Sequence, residues 1–292
     1  MNTRILIIIF ITLFFTSPVA AKVYSYAANK AVIGSIKTYT VKGNDSLIEI
    51  ARKFGIGYSE IADANPDLDP FVPGTGNQVK IPTSWVLPDV PSHDGIVINL
   101  SEMRLYYFAK RKRACTVWTF PIGIGKEGNY TPVGNFKVIE KIERPSWHVP
   151  ESIRKEKPLL PKVFPPGKDN PLGSHALRLS SNGILIHGTN KPYGVGRRVS
   201  HGCIRLYPED IPKLYRLVPN GSKVTIIRQP VKIGIVNKKI YIEVHKDEYL
   251  KTDHLNEAVQ LLRKKNLLKS ISTEKLYRAV REKRGIPIKI SN

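Results

Sequence analysis

The stretch "HGTNKPYGVGRRVSHGCIRL" covers residues 187–206 and contains one of only two cysteines in the 292-residue chain. The alternation in the preceding "GILI" and in "SHGCIRL" predicts two extended segments joined by a glycine-containing loop. A period of two places His201, Cys203 and Arg205 on one face of the second segment. Because residues 188–199 are long enough for the chain to return, we expect His187 to lie against Cys203.

These residue types together indicate nucleophilic chemistry. A thiolate is the reactive form of cysteine, and an adjacent imidazole can take its proton. Gly202 leaves room for a substrate backbone, and main-chain N–H groups beside Cys203 can stabilise a developing oxyanion by about 3 kcal/mol each. The planar guanidinium of Arg205 suits a carboxylate. The pattern therefore predicts acyl transfer on a peptide that carries a carboxylate.

Two structural alternatives remain open at this point. Cys115 and Cys203 could form a disulfide in an oxidising compartment. His187, His201 and Cys203 could instead hold zinc, although no fourth ligand follows at the usual spacing. If neither applies, we expect Cys115, in a predicted strand, to be an ordinary buried small residue.

The N-terminus has the pattern of an export signal. Arg4 precedes an apolar run at residues 5–15, and Val19 and Ala21 fit the small-residue rule for cleavage before Lys22. The run is shorter than the roughly 20 residues that a membrane span needs, so a retained anchor is the weaker alternative. We predict a signal peptide at residues 1–21 and a periplasmic mature protein without a membrane span.

The net charge of +22 favours anionic partners. Nucleic acid is excluded on two grounds: an exported protein rarely meets it, and the chain has no zinc-finger spacing or aromatic RNA-binding motif. Anionic cell-wall polymer and peptide carboxylates are the better candidates, although a solvated basic surface explains most of the excess.

Residues 38–82 have the pattern of a small βααβ unit. "TYTV" and "QVKIP" read as strands, and "SLIEIARKFG" and "YSEIADAN" as helices. The unit resembles the LysM module, including Asn65-Pro66 and the closing Pro73-Gly74, but has Gly43-Asn44-Asp45 where that family commonly has Pro-Gly-Asp. The resemblance implies binding to glycan strands that contain N-acetylglucosamine.

The rest of the chain divides into three parts that differ in composition and hydrophobic pattern. Residues 83–94, with Pro88 and Pro91, read as a linker. Residues 95–228 contain many short β-rich runs and predict a mainly β domain of sandwich type, interrupted at 143–173 by a loop with seven prolines that we interpret as a structureless lid. Residues 229–292 predict a hairpin and two basic helices, a small α+β accessory region without assigned chemistry.

The motifs in residues 95–228 resemble the L,D-transpeptidase family with a YkuD-type catalytic domain. The resemblance rests on "IHGTN", "GVGRRVSHGCIRL" and "FPIGIGKEGNYTPVGNFKV", while "ERPSWHVP" and "PPGKDNPLGSHALRL" match its periplasmic branch. It implies a role for each residue of the motif. Cys203 would be the nucleophile, His187 the base oriented by the carbonyl of Gly188, and His201, Gly202 and Cys203 the donors of the oxyanion hole, with Arg205, Thr189 and Ser200 shaping the substrate side.

The family's reaction, as the resemblance implies, needs neither a metal nor a cofactor. Cys203 would attack the L-centre carbonyl of meso-diaminopimelate in a peptidoglycan tetrapeptide stem, release D-alanine and pass the acyl group to an amine, forming a 3→3 cross-link. Water as acceptor would make an L,D-carboxypeptidase, and a lipoprotein lysine would give lipoprotein attachment. From a different class of function, a non-catalytic wall-binding protein would use the LysM unit alone.

Overall fold

The structure is a computed structural model that describes residues 22–27, 31–111, 114–181, 183–247, 249 and 252–292. The predicted signal peptide, residues 1–21, lies outside these residues. Within the described ranges, no helix has the length and hydrophobicity to cross a membrane.

The N-terminal part contains the predicted βααβ unit. Its elements, after β1 (Lys22–Tyr26) and β2 (Val32–Gly34), are β3 (Lys37–Thr40), α1 (Leu47–Phe54), α2 (Tyr58–Ala64) and β4 (Gln78–Ile81). Strands β3 and β4 pair antiparallel. Ser46 caps α1 and exchanges hydrogen bonds with Glu49, and Gly55 ends the helix in the left-handed conformation at φ 65°.

Half of the stretch 83–94 between the two predicted domains is buried. Strand β5 (Ser84–Val86) pairs antiparallel with β2, and Trp85 is 1% exposed. The indole N–H of Trp85 donates to Glu60 of α2 at 3.0 Å. A proline-flanked segment therefore packs between the βααβ unit and the rest of the chain.

A nine-stranded sheet forms the centre of the molecule, in the order β1 (Lys22–Tyr26), β8 (Ala114–Pro121), β7 (Arg104–Arg111), β6 (Gly95–Asn99), β17 (Lys223–Ile227), β10 (Gly134–Glu143), β13 (His175–Leu179), β14 (Leu185–His187) and β16 (Ile204–Arg205). The other strands of this region are β9 (Ile124–Gly125), β11 (Trp147–His148), β12 (Val163–Phe164) and β15 (Arg198–Ser200). The predicted mainly β class is confirmed.

Both faces of the central strands are buried. Ile96, Ile98 and Leu105 pack into one core together with α4 (Ile211–Leu217), whereas the alternate residues Val97 and Tyr106 join the core of the βααβ unit. Because side chains alternate along β6 and β7, the two faces of the sheet contribute to two different hydrophobic cores.

Charged side chains connect the βααβ unit to the sheet. Glu60 accepts two hydrogen bonds from the guanidinium of Arg104 on β7, at 2.9 and 2.7 Å, with both side chains almost fully buried. Near the surface, Arg52 of α1 forms a bidentate pair with Glu209 at 2.9 Å. The unit therefore docks on the sheet in one orientation.

The C-terminal region is the expected small α+β unit. It contains β18 (Val231–Val236), β19 (Lys239–Val244), α5 (His254–Lys264), α6 (Thr273–Glu282) and β20 (Ile288–Lys289), and has its own apolar core. Buried Lys232 donates to Glu102 of the central domain at 2.7 Å, to Glu243 at 2.9 Å and to the carbonyl of Val86 at 2.7 Å.

The proline-rich stretch 143–173 is not structureless, contrary to the sequence-based expectation. Strands β11 and β12 pair antiparallel around α3 (Glu151–Glu156), and the rings of Trp147 and Phe164 stack at 5.5 Å. The side chain of buried Asn170 donates to the carbonyl of Pro145 and ties the two ends of the stretch together. Proline rigidity and these contacts give the stretch a fixed shape.

Replacing Glu60 by Gln tests the buried pair that joins the βααβ unit to the sheet. We expect the free energy of unfolding to fall by about 3–5 kcal/mol, because Arg104 would stay buried without a counter-charge. The measurement is urea denaturation of the full chain. The matched control is Glu151→Gln in the exposed pair with Lys155, for which a change below about 0.5 kcal/mol is expected. Equal effects in both variants would contradict the interpretation.

Candidate active site

The site forms at the edge of the large sheet, where β14 and β16 run parallel. Ile186 lies opposite Ile204, and His187 lies opposite Arg205. The two isoleucines are buried in the core, so His187 and Arg205 belong to the other face. Cys203 comes directly before β16, two positions before Arg205, so the alternation of an extended strand would put its side chain on the face of His187.

His187 is 4% exposed and held by its own neighbour in the chain. Its Nδ1 lies 2.6 Å from the carbonyl oxygen of Gly188. Because a carbonyl only accepts, Nδ1 carries the hydrogen and Nε2 presents a lone pair. Burial, reinforced by the nearby charge of Arg205, lowers the pKa of His187 to about 3. The imidazole is therefore neutral and able to accept a proton.

Cys203 is a free, half-buried thiol. Its Sγ accepts a hydrogen bond from the backbone N–H of Leu185 at 3.4 Å and donates to the carbonyl of Gly183 at 3.6 Å. Burial raises the pKa of Cys203, an effect that the Leu185 N–H and Arg205 oppose. Among the described residues no hydrogen bond joins Sγ to His187, and the residue paired with the histidine in the register is Arg205.

The segment before the cysteine is held by hydroxyl groups. Ser200 Oγ donates to the carbonyl of Cys203 and accepts from the N–H of Gly202 at 3.2 Å. Thr131 Oγ1 donates to the carbonyl of Gly202 at 2.9 Å. Gly202 has φ 103°, a conformation that side-chain-bearing residues rarely adopt.

The main-chain N–H groups predicted to form the oxyanion hole differ in their partners. The N–H of Gly202 is already engaged by Ser200, whereas in the described part of the chain the N–H groups of His201 and Cys203 have no acceptor. Of the three amides expected to stabilise an oxyanion, two are available in this structure.

His201 and Thr189 have other partners. His201 Nε2 lies 3.1 Å from Glu156 of α3, and Lys126 lies 3.3 Å from the same carboxylate. The hydrogen bonds from His201 and Lys126 lower the pKa of Glu156. Thr189 is buried and its hydroxyl accepts from the N–H of Lys191 at 2.9 Å, which shapes the turn after the histidine.

Arg205 is largely buried, and this burial lowers its pKa. Its backbone exchanges hydrogen bonds with Gly123 at 2.8 and 2.9 Å. Its guanidinium contributes the positive charge that disfavours protonation of His187 and favours the thiolate of Cys203. In this structure Arg205 thus acts on both reactive groups electrostatically.

Neither structural alternative for the cysteine is formed. Cys115 and Cys203 are both free thiols, so the disulfide is absent. Cys115 is exposed on β8, and the expectation that it is buried is wrong.

The alternative zinc set of His187, His201 and Cys203 does not converge. Over the residues that the structure describes, ligand atoms with metal-like spacing occur only at Glu102, Glu243 and His245. Lys232 Nζ, bonded to both carboxylates, supplies the positive charge there.

Sequence reasoning missed three residues that shape the site. Thr131 holds Gly202, Glu156 holds His201, and Gly173 makes room for the chain after His187, since a Cβ on Gly173 would lie 2.7 Å from the N of Thr189. The left-handed φ of 69° at Gly173 adds a second reason for glycine. Thr131 belongs to the segment "NYTPVG" of the family motif, but its partner Gly202 is 71 positions away in the chain.

Two family profiles match the chain. The L,D-transpeptidase catalytic domain of the YkuD type matches residues 93–226, and the LysM domain matches residues 39–82. We refer to residues 39–82 as the LysM domain from here on.

Relatives with similar sequences span most of the chain. The Escherichia coli K12 protein named Probable L,D-transpeptidase YcfS is 40% identical over 251 residues, 80% of this chain and 78% of the relative. Probable L,D-transpeptidase YbiS from the same strain is 37% identical over 278 residues, 89% of each chain. Among solved structures, the L,D-transpeptidase from Mycobacterium smegmatis is 21% identical with a TM-score of 0.37, covering 52% of this chain and 64% of that one.

The extent of the YcfS and YbiS matches, together with the two domain profiles, settles the classification. The chain belongs to the L,D-transpeptidase family.

Proposed function

We propose that the protein is an exported peptidoglycan L,D-transpeptidase that works through a thioester on Cys203. The observation that carries the proposal is the pairing of β14 with β16, which sets His187, a neutral imidazole, opposite Arg205, with the free thiol of Cys203 directly before β16. Two unengaged amides, of His201 and Cys203, adjoin the sulfur on the described backbone.

In the first half-reaction Nε2 of His187 accepts the thiol proton. The sulfur forms a bond to the L-centre carbonyl carbon of meso-diaminopimelate, and the carbonyl oxygen becomes an oxyanion near the amides of His201 and Cys203. The C–N bond to D-alanine then breaks, and His187 returns its proton to the leaving amine. At rest the thiol hydrogen-bonds to the carbonyl of Gly183, so it must give up this bond to pass its proton to His187.

In the second half-reaction the acyl group passes from Cys203 to an acceptor. The acceptor amine attacks the thioester carbonyl, its proton passes to His187, and the S–C bond breaks to regenerate the thiol. A diaminopimelate side chain gives a 3→3 cross-link, water gives a tripeptide, and a lipoprotein lysine gives a protein attached to peptidoglycan. We propose the cross-link, and mass spectrometry of the products separates the three outcomes.

The remaining features fit a wall substrate. The LysM domain would bind glycan strands and raise the local concentration of stem peptides. The net charge of +22 complements an anionic polymer. The N-terminal pattern of residues 1–21 supports export to the periplasm, the compartment that contains this substrate.

Mass measurement after mixing the protein with a soluble tetrapeptide tests the proposal. The wild type should gain the mass of the tripeptide acyl group on Cys203 and release D-alanine, and Cys203→Ala should show neither. Cys115→Ser is the control and should behave as the wild type, because Cys115 is exposed on a different part of the sheet. Acylation of Cys203→Ala would exclude Cys203 as the nucleophile.

Glu156→Gln tests whether α3 of the proline-rich stretch contributes to the site. We expect kcat/KM on the soluble tetrapeptide to fall severalfold without a change in thermal stability, because the carboxylate that holds His201 and Lys126 loses its charge. The matched control is Glu151→Gln on the same helix, whose partner Lys155 is exposed. Equal kinetics in both variants would exclude this role for α3.

The protonation of His187 links folding to pH. The unfolded chain binds a proton at this residue below its ordinary pKa of 6.5, whereas the folded chain does so only near 3. Stability present above pH 6.5 is therefore lost as the pH falls toward 3, by about 1.4 kcal/mol per unit.

His187→Gln removes the contribution of this imidazole to the pH dependence of stability. Between about pH 7 and about pH 4.5, the free energy of unfolding of the wild type should fall by about 2–3 kcal/mol more than that of the variant. Urea denaturation at the two pH values measures the difference. Parallel losses in the two proteins would show that His187 is not buried in its neutral form.

A further inference from the structure

Two consecutive arginines, Arg197 directly before β15 and Arg198 at its first position, reach different parts of the molecule. The guanidinium carbon of Arg197 lies 3.9 Å from the ring centroid of Tyr58, and that of Arg198 lies 4.1 Å from the ring centroid of Tyr249. Tyr58 is the first residue of α2 in the LysM domain, and Tyr249 belongs to the C-terminal region. The strand that leads to Cys203 is therefore held from both sides by aromatic rings outside the catalytic domain.

Backbone contacts strengthen the LysM side. The N–H groups of Tyr58 and Ser59 donate to the carbonyls of Val195 and Gly196 at 3.4 and 3.2 Å. Gly57 and Gly196 approach so closely that a Cβ on Gly57 would lie 2.8 Å from the Cα of Gly196. The start of α2 thus packs directly on the loop between His187 and Cys203.

The C-terminal side adds a carboxylate and a hydroxyl. Asp247 is buried and lies 3.9 Å from Arg198, and it accepts from Ser101 Oγ at 2.6 Å. The hydroxyl of Tyr249 donates to the carbonyl of Gly125 at 2.8 Å, and its ring meets that of Tyr130 edge-on at 4.7 Å. Tyr249 therefore contacts both β15 and the segment that pairs with it.

Both clamped segments end at groups that hold the cysteine. Ser200, the last residue of β15, bonds to the N–H of Gly202 and the carbonyl of Cys203. Gly125 pairs with Ser200, and its N–H donates to Thr131 Oγ1, which in turn bonds to the carbonyl of Gly202. A displacement of β15 or β9 would pass directly to the backbone of residues 202–203.

We propose that Tyr58 and Tyr249 are positioning residues for the acyl-transfer reaction, and that the LysM domain and the C-terminal region set the position of Cys203 by clamping Arg197 and Arg198. The inference rests on the proposed function. It gives the C-terminal region a role, and it makes the LysM domain part of the active-site support as well as a glycan binder.

A soluble tetrapeptide without sugar separates this role from tethering. If the LysM domain only raises the local concentration of glycan-linked stems, a change at Tyr58 affects turnover on intact peptidoglycan alone. If Tyr58 positions Cys203, the same change lowers turnover on a peptide that no glycan-binding site can recognise.

The variants Tyr58→Leu and Tyr249→Leu keep apolar bulk and remove the aromatic face under each arginine. We expect each to lower kcat on the soluble tetrapeptide by about tenfold or more and to leave KM within about twofold, because the substrate still binds while the nucleophile is displaced. Tyr58→Phe should restore wild-type kinetics. Tyr249→Phe should be intermediate, because it keeps the ring and loses the bond to Gly125.

A control and a substrate-free measurement accompany the kinetics. Tyr277→Leu, at an exposed tyrosine of α6 in the same C-terminal region, should behave as the wild type. The rate of alkylation by iodoacetamide is measured for each cysteine-containing peptide across a range of pH. In the two Leu variants the pH dependence of this rate should shift for Cys203 and stay unchanged for exposed Cys115. The alkylation rate does not depend on turnover. It therefore tests the positioning of Cys203 by the two tyrosines even if the wild type forms no thioester and the proposed function is wrong.

Two results would overturn the inference. Wild-type kcat and wild-type Cys203 alkylation in both Leu variants would show that the rings do not position the nucleophile. A loss that the Phe variants fail to rescue, and that follows the melting temperature across all five variants, would assign the tyrosines to general stability.

Discussion

The parallel backbone pairing of β14 with β16 determines which side chains meet at the site. Residues of one parity, Ile186 and Ile204, enter the core, and those of the other, His187 and Arg205, face the site. A shift of one residue would exchange these faces and bury charged groups among aliphatic ones. The hydrophobic core therefore enforces the register, and the register brings the neutral imidazole and the guanidinium to one side of the sheet edge, with Cys203 directly before β16.

Buried charges hold the three regions in one arrangement around that edge. Arg104 pairs with Glu60 of the LysM domain, and Lys232 of the C-terminal region pairs with Glu102. Each ion loses several kcal/mol of hydration on burial, and only close, hydrogen-bonded partners offset that cost. Because a displaced region would leave such a charge unpaired, these contacts favour a single orientation of the domains on the catalytic strands.

Much of the fold could be predicted because it depends on local patterns. The capped helix ended by Gly55 and the short β-rich runs from Gly95 follow from neighbours a few residues apart. The features that local patterns did not show have a common cause. Trp85 lies in a stretch that resembles a linker but packs beside Glu60, and Cys115 lies on a strand whose side at that position is open to solvent. Composition does not show which face of a segment another part of the chain covers.

The sequence alone determined the family resemblance, the residue types of the site and the close spacing of Ser200, His201, Gly202 and Cys203, because all of these lie within short segments. Tertiary structure decided the partners. It placed Arg205, and not Cys203, opposite His187, and it engaged the amide of Gly202 with Ser200. It also packed Tyr58 and Tyr249, which are 139 and 51 positions away in the chain, against Arg197 and Arg198. The physical reason is that register, burial and the pKa values that follow from them depend on contacts between segments far apart in the chain, which no local pattern encodes.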